Sequence, residues 1–152
     1  MLAVGDLAPT LSIPTDNDMF SIAKQGGKRV VVFFFPRADT PGCTKEAEQF
    51  SALHDEFTAQ NTVVIGVSKD NPANQAKFRA KYGLILLLGA DHETSFCEEF
   101  GVWVEKSMYG KTYMGIQRAS FIIDSDGKIA AIWPKVKVAG HAADVLETLK
   151  AL

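Results

Sequence analysis

The feature that most constrains this chain is residues 30–35, an unbroken run of β-branched and aromatic side chains (Val-Val-Val-Phe-Phe-Phe) closed by Pro36. Such a run predicts a strand covered on both faces, as in a parallel sheet packed between helices. Pro36 stops it, because a residue without an N–H cannot continue a central ladder. Beyond Arg37-Ala38-Asp39-Thr40-Pro41-Gly42-Cys43-Thr44, a helical pattern sets in with Ala47, Phe50, Leu53 and Phe57 on one stripe. A cysteine therefore stands where a buried strand turns into a helix, inside the first helical turn. Unpaired N–H groups and the positive end of the helix dipole favour an anion there, which makes Cys43 a candidate nucleophile on physical grounds. A cysteine can also be a small buried apolar residue. Those usually sit within apolar runs, whereas Cys43 lies in a polar turn, a setting that favours an exposed, reactive thiol.

The rest of the pattern supplies a scaffold for that turn. Residues 7–14 read as an edge segment, 15–18 as a turn and 19–22 as a return strand, predicting an N-terminal β-hairpin. After the Cys43 helix, residues 63–67 predict a second buried strand. Asn71 and Pro72 form a cap with proline at the first helical position, so a helix runs over Pro72–Tyr82 to a left-handed Gly83. Residues 84–88 predict a third strand, and Asp91 caps a helix over 93–100 closed by Gly101. Residues 102–117 show no sustained periodicity and read as a long functional connection. Residues 119–124 and 128–133 are strands about a hairpin turn at 124–127. A last helix begins near Gly140, with Ala142, Val145, Leu146, Leu149 and Leu152 on one face. Strands alternating with helices define an α/β protein with a mostly parallel sheet. No repeat or linker interrupts it, so residues 1–152 are expected to form one domain.

Composition narrows the function. With 47% hydrophobic and 22% charged residues the chain has the make-up of a soluble globular protein. A net charge of −2 with mixed signs offers no basic footprint for nucleic acid and no polybasic membrane patch. The start (Met1-Leu2-Ala3-Val4-Gly5-Asp6) lacks the pattern of a signal peptide, and no apolar run approaches membrane-spanning length. Two cysteines are too few for a disulfide framework and suggest a reducing compartment, so a cytoplasmic location is expected. His54, His92 and His141 show no metal-ligand spacing and read as solvated residues. None is placed by sequence as a base for Cys43; His54 lies about three turns along the same helix, which is too far.

Two further residues bear on the thiol. Thr40, three positions before it, can direct its hydroxyl at whatever approaches the sulfur, or cap the helix with Pro41 behind it; the roles are compatible. Arg118 precedes the buried strand at 119–123, where a guanidinium needs an anionic partner. Arginine also brings a permanent charge and a planar fork of donors suited to a thiolate. A surface salt bridge is the alternative. Glu46 reads as a dipole-favourable residue of the first turn, near the site.

The segment Pro36-Arg-Ala-Asp-Thr40-Pro-Gly-Cys43-Thr, followed by Glu46 and Ala47, resembles the peroxidatic-cysteine motif of peroxiredoxins. Its Thr-Pro-Gly-Cys-Thr form resembles the bacterioferritin-comigratory-protein, or peroxiredoxin Q, branch. So do Phe100-Gly101-Val102-Trp103, residues 108–116 with Arg118, Phe121-Ile122-Ile123-Asp124 and the C-terminal helix. The resemblance implies a thioredoxin-like fold, a central mixed β-sheet flanked by helices. It also implies a thiol-dependent peroxidase acting on hydrogen peroxide and alkyl hydroperoxides. Cys43 would be the nucleophile, Thr40 the hydroxyl partner and Arg118 the guanidinium that stabilises thiolate and peroxide; Pro36 would shield the pocket floor. No metal, flavin or haem is implied. The implied reductant is thioredoxin, with glutaredoxin or small thiols behind it, and the implied state is a monomer. A thiol-disulfide oxidoreductase usually shows Cys-x-x-Cys, and here Thr40 replaces the first cysteine. A redox sensor using the same thiol is the other alternative.

The family pattern breaks at one point. Its resolving cysteine commonly lies five residues after the peroxidatic one or in the following helix. Here the first of those positions is Glu48, and Pro72–Tyr82 contains no cysteine. The only other thiol is Cys97. It is either the possible resolving residue, which requires local unfolding because a disulfide needs Cα atoms within about 7 Å, or a cysteine packed beside Phe96 and Phe100. In the latter case an external thiol resolves Cys43.

Overall fold

The computed structural model describes residues 2–152; Met1, the first residue of the start read above, lies outside them. Strand β3 (Arg29–Phe34) is the centre of a five-stranded sheet of order β5-β4-β3-β8-β9, formed with β4 (Thr62–Ser68), β5 (Leu87–Ala90), β8 (Ala119–Ile123) and β9 (Ile129–Trp133). β4 runs parallel to β3 and β5 parallel to β4, whereas β8 is antiparallel to β3 and β9 antiparallel to β8, so the sheet is mixed. Side chains alternate along a strand. Val30, Val32 and Phe34 therefore enter one core, and Val31, Phe33 and Phe35 enter another on the opposite face. Burial on both faces is the arrangement the apolar run required.

Helices α1 (Pro41–Ala52), α2 (His54–Ala59), α3 (Pro72–Tyr82) and α5 (His141–Ala151) contribute apolar residues to the second core, while α4 (Phe96–Glu99) packs into the first. Phe33 stacks on Phe50 of α1 at 4.4 Å between ring centroids. The close approach of Phe33 to β4 requires Gly66 opposite it, where a Cβ would stand 2.5 Å from the ring. The N-terminal hairpin is present as β1 (Ser12–Pro14) and β2 (Met19–Ser21). Asn71 caps α3 by accepting from Asn74 N–H at 2.8 Å, and Gly83 closes it at φ +61°. Among the described residues no helix is long and apolar enough to cross a membrane.

Several expectations shift. The stripe from Ala47 to Phe57 is broken at Leu53, whose N–H turns back to Phe50, so two helices replace one. The third strand begins at Leu87 rather than Leu84. The helix capped by Asp91 shrinks to Phe96–Glu99, because the carboxylate accepts from the N–H groups of Phe96 and Cys97. Residues 102–117 are not a structureless connection but a two-stranded antiparallel hairpin, β6 (Trp103–Met108) and β7 (Lys111–Ile116). Its two-residue turn has Tyr109 and Gly110 at φ +53° and +75°, as a primed turn requires. Leu152 lies beyond α5 and is exposed.

Candidate active site

The sheet itself assembles the site. β8 runs antiparallel to β3 with Ala119 beside Phe34, so the residue before β8 lies next to the segment that follows β3. Arg118 is thereby placed at the start of α1. Its Nη2 donates to Cys43 Sγ at 3.4 Å and its Nη1 to Glu46 Oε1 at 2.7 Å. Gly42 makes room for it: a Cβ there would stand 3.3 Å from Nη2. Cys43 is the third residue of α1, a helix whose first turn carries orphan N–H groups. Contrary to the exposed thiol expected from the polar turn, Cys43 is 1% exposed, since α1 presses it into the second core.

Glu46 lies in the second turn of α1, not the first, and is fully buried. Burial pushes its carboxyl up to about 7 despite the opposing attraction of Arg118, and its Oε2 has no partner among the described residues. Burial pulls the Arg118 pKa down, but the Cys43 sulfur and the Glu46 carboxylate together raise it above its ordinary value. The cation is thus firm and its carboxylate partner weak. The difference is physical: Glu46 is sealed, whereas the Arg118 side chain retains 17% exposure and has two electron-rich neighbours. Arg118 is therefore not a surface salt bridge.

Thr40 occupies the cap position of α1 but makes no side-chain cap. Its hydroxyl donates to Arg37 C=O at 2.8 Å, which leaves the oxygen free as an acceptor. Pro36, expected to shield the pocket floor, is exposed just after the end of β3. Sequence reasoning missed what holds the loop at residues 37–40. Asp70 accepts from Ala38 N–H at 2.8 Å and Ser68 Oγ at 2.6 Å. Asp39 adopts φ +61°, uncommon for a non-glycine residue, and is tied to Lys81 at 2.9 Å and to the Tyr82 hydroxyl at the end of α3. The one available signal was Asp39 itself, a residue type that tolerates such a backbone.

Cys97 lies elsewhere. It is fully buried in the first core beside Phe96 and Phe100, on the other face of the sheet from Cys43. Both thiols are free. His141 is not solvated: it is 5% exposed, hydrogen-bonded through Nε2 to Ser120 Oγ at 2.8 Å and edge-on to Phe50 and Trp133. Among the described residues no histidine bonds Cys43. A cleft of about 750 Å³, lined by His54, Phe57, Arg79 and Ile85 among others, includes none of the residues around Cys43.

A thiol seated at a helix start at the end of a central strand, with a guanidinium on its sulfur and, among the described residues, no histidine bonded to it, fits the class of thiol peroxidases better than that of cysteine hydrolases. The chain belongs to the AhpC/TSA family, whose model matches residues 4–132. It is 44% identical to a putative peroxiredoxin of Coxiella burnetii over 149 residues, 97% of this chain and 99% of that one. It is 41% identical to a Bacillus subtilis peroxiredoxin Bcp over 150 residues, 98% and 96% of the two chains. Among solved structures it is similar to a Xanthomonas campestris bacterioferritin comigratory protein described for its alkyl peroxide reduction activity. That match has a TM-score of 0.91 and 36% identity, covering 99% of this chain and 97% of that one. The fold is thioredoxin-like, and the protein is a thiol-dependent peroxidase with an antioxidant role.

Proposed function

We propose that Cys43 is the peroxidatic nucleophile of a one-cysteine cycle in which an external thiol restores the enzyme: thioredoxin, with glutaredoxin or a small thiol behind it. The observation that carries this reading is the Arg118 fork, one arm on Cys43 Sγ and the other on Glu46. The Cys43 thiolate attacks the terminal oxygen of a hydroperoxide; the O–O bond breaks, sulfur gives up two electrons, and the organic oxygen leaves as an alkoxide that takes a proton. Arg118 faces the charge as it passes from sulfur to oxygen, the arrangement that lowers such a barrier. Thr40, its own O–H engaged with Arg37, accepts from the peroxide O–H and turns its terminal oxygen to the sulfur. The sulfenic acid on Cys43 then condenses with an external thiol, releasing water, and a second thiol displaces the mixed disulfide.

Support for external resolution comes from the sheet lying between the two thiols. Joining them would require opening α4 and the start of α1 together, whereas an outside thiol needs only the Cys43 side exposed. We read residues 1–152 as one domain, since both cores share one sheet, and take it to work as a cytoplasmic monomer.

The test is intact mass with peptide mapping after one equivalent of hydrogen peroxide. One added oxygen on Cys43, with Cys97 alkylatable after unfolding, is expected; Cys43→Ser gains none and loses peroxidase turnover. Loss of two hydrogens with Cys43 joined to Cys97 would replace external resolution by an internal disulfide. An unmodified Cys43 would remove the peroxidatic role.

A further inference from the structure

Two hydrogen bonds of the loop before α1 meet on a single peptide unit. Asp70 Oδ2 accepts from the Ala38 N–H at 2.8 Å, and the Thr40 hydroxyl donates to the Arg37 C=O at 2.8 Å. That N–H and that C=O are the two ends of the peptide joining Arg37 to Ala38, which is trans. A trans peptide is planar and its two groups point in opposite directions, so neither turns without the other. Asp70 therefore sets the direction of the carbonyl that holds the Thr40 proton. With the proton held, the lone pairs of the Thr40 oxygen are held in direction as well.

Behind Asp70 the support is buried. Ser68, the last residue of β4, donates its hydroxyl to Asp70 Oδ2 at 2.6 Å. Gln75 of α3 donates through Nε2 to Ser68 Oγ at 2.9 Å and to the Gly89 C=O of β5 at 2.8 Å. Ser68 and Gln75 are both fully buried. A chain of hydrogen bonds thus runs from β5 through α3, β4 and Asp70 to the Arg37–Ala38 peptide and Thr40, and bonds in such a chain polarise one another. The second tie of the loop is of another kind. Asp39 and Lys81 are 41% and 59% exposed, and a pair so open to solvent holds little.

We infer that Asp70 is a positioning residue of the peroxidase reaction: through the Arg37–Ala38 peptide it aims the Thr40 oxygen at the O–H of the incoming peroxide. The inference rests on the peroxidase reading and on the part given there to Thr40. Arg118 reaches Cys43 from β8 and takes no part in the chain, so the effect falls on the peroxide and not on thiolate chemistry in general.

The rate at which hydrogen peroxide oxidises Cys43, set against its modification by methyl methanethiosulfonate, isolates this effect, because the second reagent has no O–H or N–H for Thr40 to accept. Asp70→Ala is expected to lower the peroxide-to-thiosulfonate ratio about tenfold, a single hydrogen bond's worth. Asp70→Asn keeps an acceptor for the Ala38 N–H and is expected to restore most of the ratio. In a Thr40→Val background Asp70→Ala should lower the ratio no further, whereas a general loosening of the loop would act in both backgrounds alike. A ratio that Asp70→Ala leaves unmoved, an equal fall in the Thr40→Val background, or a loss in Asp70→Asn as large as in Asp70→Ala would overturn the inference. A ratio that Thr40→Val itself leaves unmoved would remove the part given to Thr40, and the inference with it. Failure of the peroxidase reading looks different: peroxide then leaves Cys43 of the wild type unmodified.

Discussion

Cys43 and Cys97 are near-copies of one another in position. Each lies within the first turn of a helix, the third residue of α1 and the second of α4, and they are 1% and 0% exposed. Burial and helix start therefore do not distinguish them; their neighbours do. Cys43 faces a guanidinium whose carboxylate partner hovers at the edge of ionisation. Cys97 faces Asp91, which accepts its N–H at 2.7 Å. Burial would raise the Asp91 pKa, but bonds from Thr94 and from Cys97 and Phe96 hold it below the ordinary range, so that carboxylate is firmly ionised. Lys69, the cation nearby, is occupied at 3.1 Å from Asp91 and 2.5 Å from Glu98. Burial first, then Asp91, pushes the Cys97 thiol far up. The same residue in a similar local structure faces a cation in one place, and in the other is kept protonated by burial first and an adjacent carboxylate second.

The largest effect should come from removing that charge at Cys43. Arg118→Met keeps an apolar stem over the sulfur but no donor, and peroxide reactivity should fall roughly 10²–10³-fold, the usual cost of losing a preorganised donor to a developing oxyanion. Stopped-flow oxidation with hydrogen peroxide measures it. A rate near wild type would break the comparison, because the two thiols would then differ for some reason other than Arg118. Glu46 does not become a stranded anion in this variant, since a buried carboxyl protonates instead.

The scaffold of this contrast was largely legible in the sequence, because its signals are local. The apolar run had to be a doubly covered strand, and Asn71, Pro72 and Gly83 delimit α3 through cap chemistry confined to a few residues. The β6–β7 hairpin was not legible, because much of both strands faces solvent and no apolar alternation survives. Its Tyr109-Gly110 turn was the signal available. The need of Arg118 for an anion could be read, but not that Glu46 supplies it across 72 residues of chain. The burial of Cys43 was invisible for the same reason: a polar turn in sequence is covered by elements that arrive from far away.

The carboxylates beside the two thiols sharpen the comparison through pH. Burial raises the Glu46 pKa from its usual 4.5 to about 7 in the folded protein, so folding favours its protonated form. Its stabilising contribution is complete below 4.5, is lost as pH rises through about 7, and changes no further above. Urea titrations should show wild-type stability falling relative to Glu46→Gln by on the order of 3 kcal/mol across that window. Parallel curves would mean that Glu46 stays fully ionised, and the centre around Cys43 would then be balanced rather than cationic.

The smallest effect belongs to Cys97, and its smallness is itself the prediction. Asp91→Asn removes the negative charge but leaves the thiol in the first core, and burial is the larger of the two forces on it. Native-state alkylation of Cys97 should therefore rise by no more than about tenfold, equivalent to a single hydrogen bond's worth of free energy. Part of that rise comes from loosening rather than from charge. Asparagine retains one acceptor oxygen for the N–H groups of Phe96 and Cys97, and Lys69 loses a partner at the start of α4. Lys69→Met separates the contributions, since it loosens the same helix start while leaving the carboxylate facing the thiol. If Asp91→Asn alone accelerates alkylation, the charge of Asp91 silences Cys97 as the charge of Arg118 arms Cys43. If both variants accelerate it equally, Cys97 is silent only because α4 stays closed, and the symmetry between the two thiols ends at Arg118.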